Sequence, residues 1–233
     1  MIKIFPSDSR FQANHGWLKT QFSFSFAEYY DPDNMNFGPM RVLNDDTIQA
    51  GYGFGTHPHK EMEIVTIMLE GVLRHKDNTG NEEELKPGEI QRMSAGTGIL
   101  HSEYNGSTTE EAKLLQLWFE PKEYGLTPSY EQFAYDQKAM LNALLPVVSA
   151  NQQEHRVAHI HQDMTIYLSR LEAGKNILFP QQTNRRTFLF IMEGQVEVNG
   201  QVLERRDSAR ITDLDKLELV AGQDSYFMLI DLP

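Results

Sequence analysis

Gly51-Tyr-Gly-Phe-Gly-Thr-His57-Pro-His59-Lys-Glu-Met-Glu63 is answered downstream by Gly96-Thr-Gly98-Ile-Leu-His101-Ser-Glu103-Tyr-Asn105. Successive side chains of an extended strand point to opposite faces, so His57 and His59 project the same way, as do His101 and Glu103. Two such pairs facing each other gather three imidazoles and a carboxylate around one point. That is a shell for a first-row transition metal with room left for an outside ligand. The bland alternative is four polar side chains that only satisfy one another. Burying them without a metal costs several kcal/mol unless every hydrogen bond is made, so one divalent metal is the expectation. Three nitrogens and one oxygen suit iron, taken first, and also nickel, copper, cobalt, manganese or zinc.

The glycines at 51, 53 and 55 resemble a dinucleotide-binding loop only superficially, because that loop must open a helix. The chain continues instead with His-Pro-His and then Glu-Ile-Val-Thr-Ile-Met-Leu, β-branched and strand-like. Here the glycines allow strand curvature and a close backbone approach. Regular alternation from His57 would place Glu63 near the metal and Val65, Ile67 and Leu69 along a barrel interior, although Pro58 interrupts the ladder. Gln116 and Trp118 share one face of Leu114-Leu-Gln-Leu-Trp-Phe and are candidates to line a pocket. His15, alone in the turn Asn14-His-Gly16, is expected to be structural, with approach to a ligand the alternative. A competing cluster, His155, His159 and His161 with Asp163, has a His-x-His alternation. It lacks both the glycine-rich approach and an answering His-x-Glu, so packing is expected there.

Composition narrows the chemistry. The chain has 233 residues, 40% of them hydrophobic, with 13 Phe and 9 Tyr, enough for one large β domain or two smaller ones. It has no cysteine, which removes disulfides, thiolate ligands, iron–sulfur clusters and Cys nucleophiles. The formal net charge of −12 disfavours direct nucleic-acid binding, which needs a basic surface to displace counterions. Met-Ile-Lys-Ile-Phe-Pro lacks the apolar core of a signal peptide, and no run approaches membrane-spanning length. A soluble cytoplasmic protein without membrane contact is expected.

The two segments also resemble the paired motifs of the cupin superfamily: Gly51, His57, His59 and Glu63 in the first, and Gly96 to Gly98, His101 and Asn105 in the second. THPHKEMEIVTIMLEG, MSAGTGILHSEYN and ANHGWLKTQFSFSFAEYYDP resemble one branch, the pirins, and within it the bacterial pirin-like quercetin 2,3-dioxygenases. The resemblance implies metal ligands His57, His59, His101 and Glu103, in place of the first-motif glutamate used by many other cupins. It also implies quercetinase chemistry: a flavonol loses its 3-hydroxyl proton and binds the metal, and O2 cleaves the heterocycle with release of carbon monoxide. Glu103 would then be ligand and catalytic proton acceptor at once. The alternative it implies is non-catalytic, a metal-dependent sensor or partner of transcription regulators.

The implied fold is all-β, a bicupin of two double-stranded β-helix barrels with few short helices. A repeat supports the doubling, since FIMEGQVEVNGQ at 190–201 echoes IMLEGVLRHKDNTG at 67–80. A metal-binding domain over 1–128 and a C-terminal cupin domain without ligands over 129–233 are expected, with a helix-compatible connection from Gln137 to Leu145. A constant offset of 123 residues puts Pro180 and Gln182 where His57 and His59 stand, and Asp224 where His101 stands.

Overall fold

The computed structural model describes residues 1–151 and 157–233, and its one helical element among them is the 3₁₀ turn Ser7–Ser9. The chain is all-β and forms two compact units, Phe11–Tyr135 with Gln153–Gln162, and Met1–Arg10 with Asp136–Gln152 and Asp163–Pro233. Each is built from antiparallel sheets, and we call them the first and second barrel. No helix among the described residues is long and apolar enough to cross a membrane.

In the first barrel the larger sheet runs Ser129–Ala134, Glu89–Ser94, Glu63–Glu70, Ala112–Phe119, Met40–Ile48, Leu18–Phe22, Phe11–Asn14. The smaller runs Gly53–His59, Ile99–Asn105, Leu73–Asp77, Glu82–Leu85. In the second barrel Ile2–Phe5, Ser208–Thr212, Arg186–Glu193, Ser225–Leu232, Thr165–Leu171 and Leu145–Ser149 follow one another in one sheet. Asn176–Pro180, Lys216–Ala221, Val196–Val198 and Gln201–Leu203 form the other. Where the sequence reading draws one cut at 128/129, backbone pairing interleaves the ends. Ser129–Ala134 pairs with Glu89–Ser94, and Ile2–Phe5 pairs with Ser208–Thr212.

The helix-compatible stretch Gln137 to Leu145 is not helical; residues 137–140 are turn and Leu145 begins a strand. Its polar backbone groups are taken by Arg170, whose N–H donates to Met140 O (2.9 Å) and whose carbonyl accepts from Asn142 N (2.7 Å). Asn142 itself sits at φ 54°. Tertiary pairing here outweighs a weak local propensity.

In the first barrel the register Leu114↔Met68, Gln116↔Thr66, Trp118↔Ile64 alternates apolar and polar pairs along the inner face. Met68 and Leu114 belong to one apolar cluster. Ile64, with Trp118 packed against it, belongs to another. Between them the polar pair Thr66–Gln116 faces inward. The expected parity is therefore reversed: the even positions 64, 66 and 68 face the site. The cause is the corner at 60–62, where Glu61 adopts φ 51° and its N–H donates to Gly96 O (2.8 Å). A corner that changes sheets resets the alternation.

Candidate metal centre

Gly53–His59 and Ile99–Asn105 pair so that His101 lies opposite His57, and the register slips between His101 and Glu103. Such a bulge re-aims side chains, which lets residues from both strands converge. Gly53 makes the approach possible, because a Cβ there would collide with Glu103 O and Tyr104 Cα. The close backbone approach expected of these glycines is met at this position.

The rings of His57, His59 and His101 stand with centroids 4.9, 4.4 and 4.8 Å apart. Each offers a ring nitrogen within 4.8 Å of the others. His57 Nδ1–H donates to Gly55 O at 2.8 Å, which leaves the Nε2 lone pair free for a ligand bond. His59 packs edge-on against Trp118, with centroids 4.7 Å apart. Burial, and then the His57 charge, lower the His59 pKa to about 4. Burial followed by His57 and His59 lowers that of His101 to about 2. Both imidazoles are thus neutral, the form that binds metals.

His101 is 2% exposed and neither ring nitrogen has a hydrogen-bond partner. Leaving both unmade is costly unless a ligand takes one of them. The donor set fits a divalent transition metal on this observation.

Glu103, 5% exposed, is not within reach of all three imidazoles. It accepts from Gln116 Nε2 at 3.1 Å (Oε2) and 3.4 Å (Oε1). Thr66 Oγ1 lies 3.4 Å from Gln116 Oε1 and 3.0 Å from Gln91 Oε1. The single hydroxyl proton goes to the nearer Gln91 oxygen, and the Gln116 amide nitrogen is the group that holds the Glu103 carboxyl. Burial raises Glu103 to about 7, against the Gln116 hydrogen bond and helped by nearby Asp46.

Sequence reading missed His75. It belongs to a second convergent group, His75, His101 and Glu103, and its ring centroid is 5.3 Å from that of His101. His75 Nε2 donates to Asp77 Oδ2 at 3.1 Å. Burial opposes ionisation of Asp77, but hydrogen bonds from Thr79, Asn81 and His75 hold it below the usual carboxylate range. An anionic acceptor fixes the His75 proton on Nε2, so the Nδ1 lone pair is left without a partner. The signal was the alternation Leu73, His75, Asp77, whose side chains are all buried.

A cavity of about 630 Å³ opens on these residues; Gln116 and Trp118 line it as expected. His15 also lines it, its Nε2 3.3 Å from Glu28 Oε1. Glu63 does not reach the metal centre. It accepts from Ser94 Oγ (2.9 Å) and from the His161 N–H (3.2 Å) on the opposite face. His161 Nδ1 contacts Ser94 Oγ (3.0 Å), and the His159 N–H donates to Glu131 (2.8 Å). Asp163 pairs instead with Arg185 (3.3 Å), and His155 lies outside the described residues.

The ladder registers revise the match between the halves. The Glu70-Gly71 and Glu193-Gly194 turns correspond, with the glycines at φ 79° and 81°. From there His75 matches Val198. Its partner Glu103 matches Leu219, and His101 matches Leu217. Leu217 faces Phe179, which takes the place of His57, and Gln181 follows at that of His59. Pro180, Gln182 and Asp224 are therefore not the counterparts, because the loops between strands differ in length and no constant offset survives them.

A family model described as Pirin matches residues 5–119, and one described as Quercetinase C-terminal cupin domain matches residues 147–232. A quercetin 2,3-dioxygenase from Escherichia coli K12 is 44% identical, the match covering 100% of this chain and 99% of the relative. A pirin-like protein from Caulobacter vibrioides is 38% identical over 99% of each. A bacterial pirin from Escherichia coli, solved in complex with nickel(II), superposes with a TM-score of 0.95 at 43% identity, covering 100% of this chain and 99% of that one.

Proposed function

The chain belongs to the pirin family of the cupin superfamily, and on that premise we propose that it is a metal-dependent dioxygenase of the quercetinase type. Its substrate would be a flavonol or a related enol or phenol, with O2 as co-substrate. The relative named quercetin 2,3-dioxygenase supports this reading. The observation that carries it is the convergence of three imidazoles, one with both nitrogens unpartnered, on a cavity of about 630 Å³. That volume falls in the range of small-molecule sites. A purely partner-binding protein has no need of such a cavity, so this feature favours a small-molecule site over partner binding alone.

The proposed ligands are His57, His59, His101 and Glu103, with iron or nickel the leading candidates; a relative solved with nickel(II) supports the latter. When bound, the metal supplies Lewis acidity that eases loss of the substrate's hydroxyl proton. Glu103 accepts that proton, the one carboxylate among the described residues in contact with this group of imidazoles through its place beside His101. In the metal-free protein Gln116 holds the Glu103 carboxyl through its amide. Trp118, Phe22 and Phe54 line the cavity, hold a flat aromatic ring and exclude water from it. Oxygen uptake by the metal-loaded protein across a flavonol panel tests this; uptake with no member would refute it.

A further inference from the structure

Behind Glu103, one row of side chains crosses the large sheet of the first barrel. The register Gln132↔Gln91, Gln91↔Thr66, Thr66↔Gln116 sets four polar residues side by side on adjacent strands. The same row of the second barrel reads Ile4, Ala209, Leu189, Leu229, all within or packed against its apolar cluster. The strand scheme therefore does not require polar groups there.

Each hydrogen bond of the row fixes the direction of the next. Gln132 Nε2 donates to Glu84 O (2.8 Å), and Gln132 Oε1 accepts from the Tyr130 hydroxyl (2.6 Å). The phenol has then used its only proton, and it accepts from Gln91 Nε2 (2.9 Å). Gln91 Oε1 in turn takes the Thr66 proton (3.0 Å). Thr66 Oγ1 is left with lone pairs alone, facing Gln116 Oε1 at 3.4 Å. Two acceptors meet there because Glu103 holds the Gln116 amide nitrogen.

We propose that this row positions Glu103 for metal: Gln116 releases the carboxyl when metal binds and turns its amide nitrogen onto Thr66 Oγ1. The inference rests on Glu103 being a metal ligand and not on the dioxygenase reading. With the amide turned, the facing acceptors become a donor and an acceptor, and the Gln116 carbonyl faces the cavity that this residue lines. A buried network favours the arrangement in which its members are satisfied. Tyr130, Gln91 and Thr66 are thus positioning residues that act through Gln116.

The test measures the zinc(II) affinity of the full chain by competition with a chromophoric chelator. Thr66→Val keeps the volume, removes the hydroxyl and should bind zinc about tenfold more weakly. Thr66→Ser keeps the hydroxyl and should retain wild-type affinity. Tyr130→Phe frees Gln91 to turn, which lets Thr66 donate to Gln116 Oε1 and should weaken zinc by a similar factor. In the Gln116→Leu background, Thr66→Val should have no further effect. Equal zinc affinity of Thr66→Val and Thr66→Ser, or an undiminished loss in the Gln116→Leu background, overturns the proposal. Glu103→Gln reports on the premise. If it binds zinc as tightly as wild type, the ligand set fails and the row's role with it; weaker zinc there with equal Thr66 variants sinks the row alone. Oxygen uptake enters no arm, so failure of the dioxygenase reading leaves these outcomes unchanged.

Discussion

The first barrel and the second barrel use one strand scheme for two opposite interiors. Around the centre of the second, Phe179, Leu189, Val198, Leu217, Leu219 and Leu229 form a single apolar cluster. Their register counterparts in the first are His57, Thr66, His75, His101, Glu103 and Gln116. The first barrel thus gives up apolar packing at its centre and holds buried polar atoms without partners, among them both nitrogens of His101 and one of His75. Proteins accept such local losses where function requires them. The scaffold needs neither interior in particular; the side chains at six matched positions separate a candidate metal centre from a packed core.

The widest expected contrast is in metal content. The purified protein should hold about one equivalent of divalent metal, measured by elemental analysis, and His59→Ala should lose most of it. Metal that persists when both His57 and His101 are removed would place a site elsewhere and erase the contrast. Next in size is Glu103→Gln. Reloaded with excess metal it should still turn over ~10²–10⁴-fold more slowly than wild type; full recovery on reloading would reduce Glu103 to a dispensable ligand.

The packed barrel should be sensitive in stability instead. Leu219→Ala should cost about 2–5 kcal/mol in urea unfolding by opening a cavity in that core. A loss under 1 kcal/mol would mean that the cluster is loosely packed. In the first barrel, the pH dependence of metal binding follows from Glu103. Its metal-free pKa is raised to about 7, so a proton occupies the carboxyl below that pH and metal must displace it. The melting-temperature gain on adding metal should therefore shrink as pH falls from 7.5 to about 5.5, and Glu103→Gln should flatten the trend. An equally steep trend in that variant would assign the proton to another group.

The smallest expected effect concerns His75, which matches Val198. His75→Val should fold and keep its metal, but bind it ~10–100-fold more weakly, because the buried Nδ1 acceptor beside His101 is lost. A cobalt-loaded sample should show a shifted visible spectrum. An unchanged affinity and spectrum would leave His75 a packing residue.

Much of this contrast could be read from the residues. His57, His59 and His101 converge because strand alternation is local and the Gly53 approach fixes the pairing. Gln116 and Trp118 share a face for the same reason. Alternation failed past Pro58, since the corner at Glu61 moves the chain to another sheet and reverses the parity of 63–69. Glu63 went with it, to Ser94 and His161. The second-barrel counterparts were misplaced because loop lengths differ between the halves, which no constant offset can absorb. His75 went unseen because its meaning lies in a buried ring nitrogen that lacks a partner, a property of packing and not of pattern.

The most direct measurement is anomalous scattering from a nickel-loaded crystal. One peak is predicted in the first barrel, bonded to His57, His59 and His101, with Glu103 turned from Gln116 to join them, and none in the second barrel. A peak bonded to His159 and His161, or one held by His75 and Glu103 with His57 and His59 left free, would contradict it.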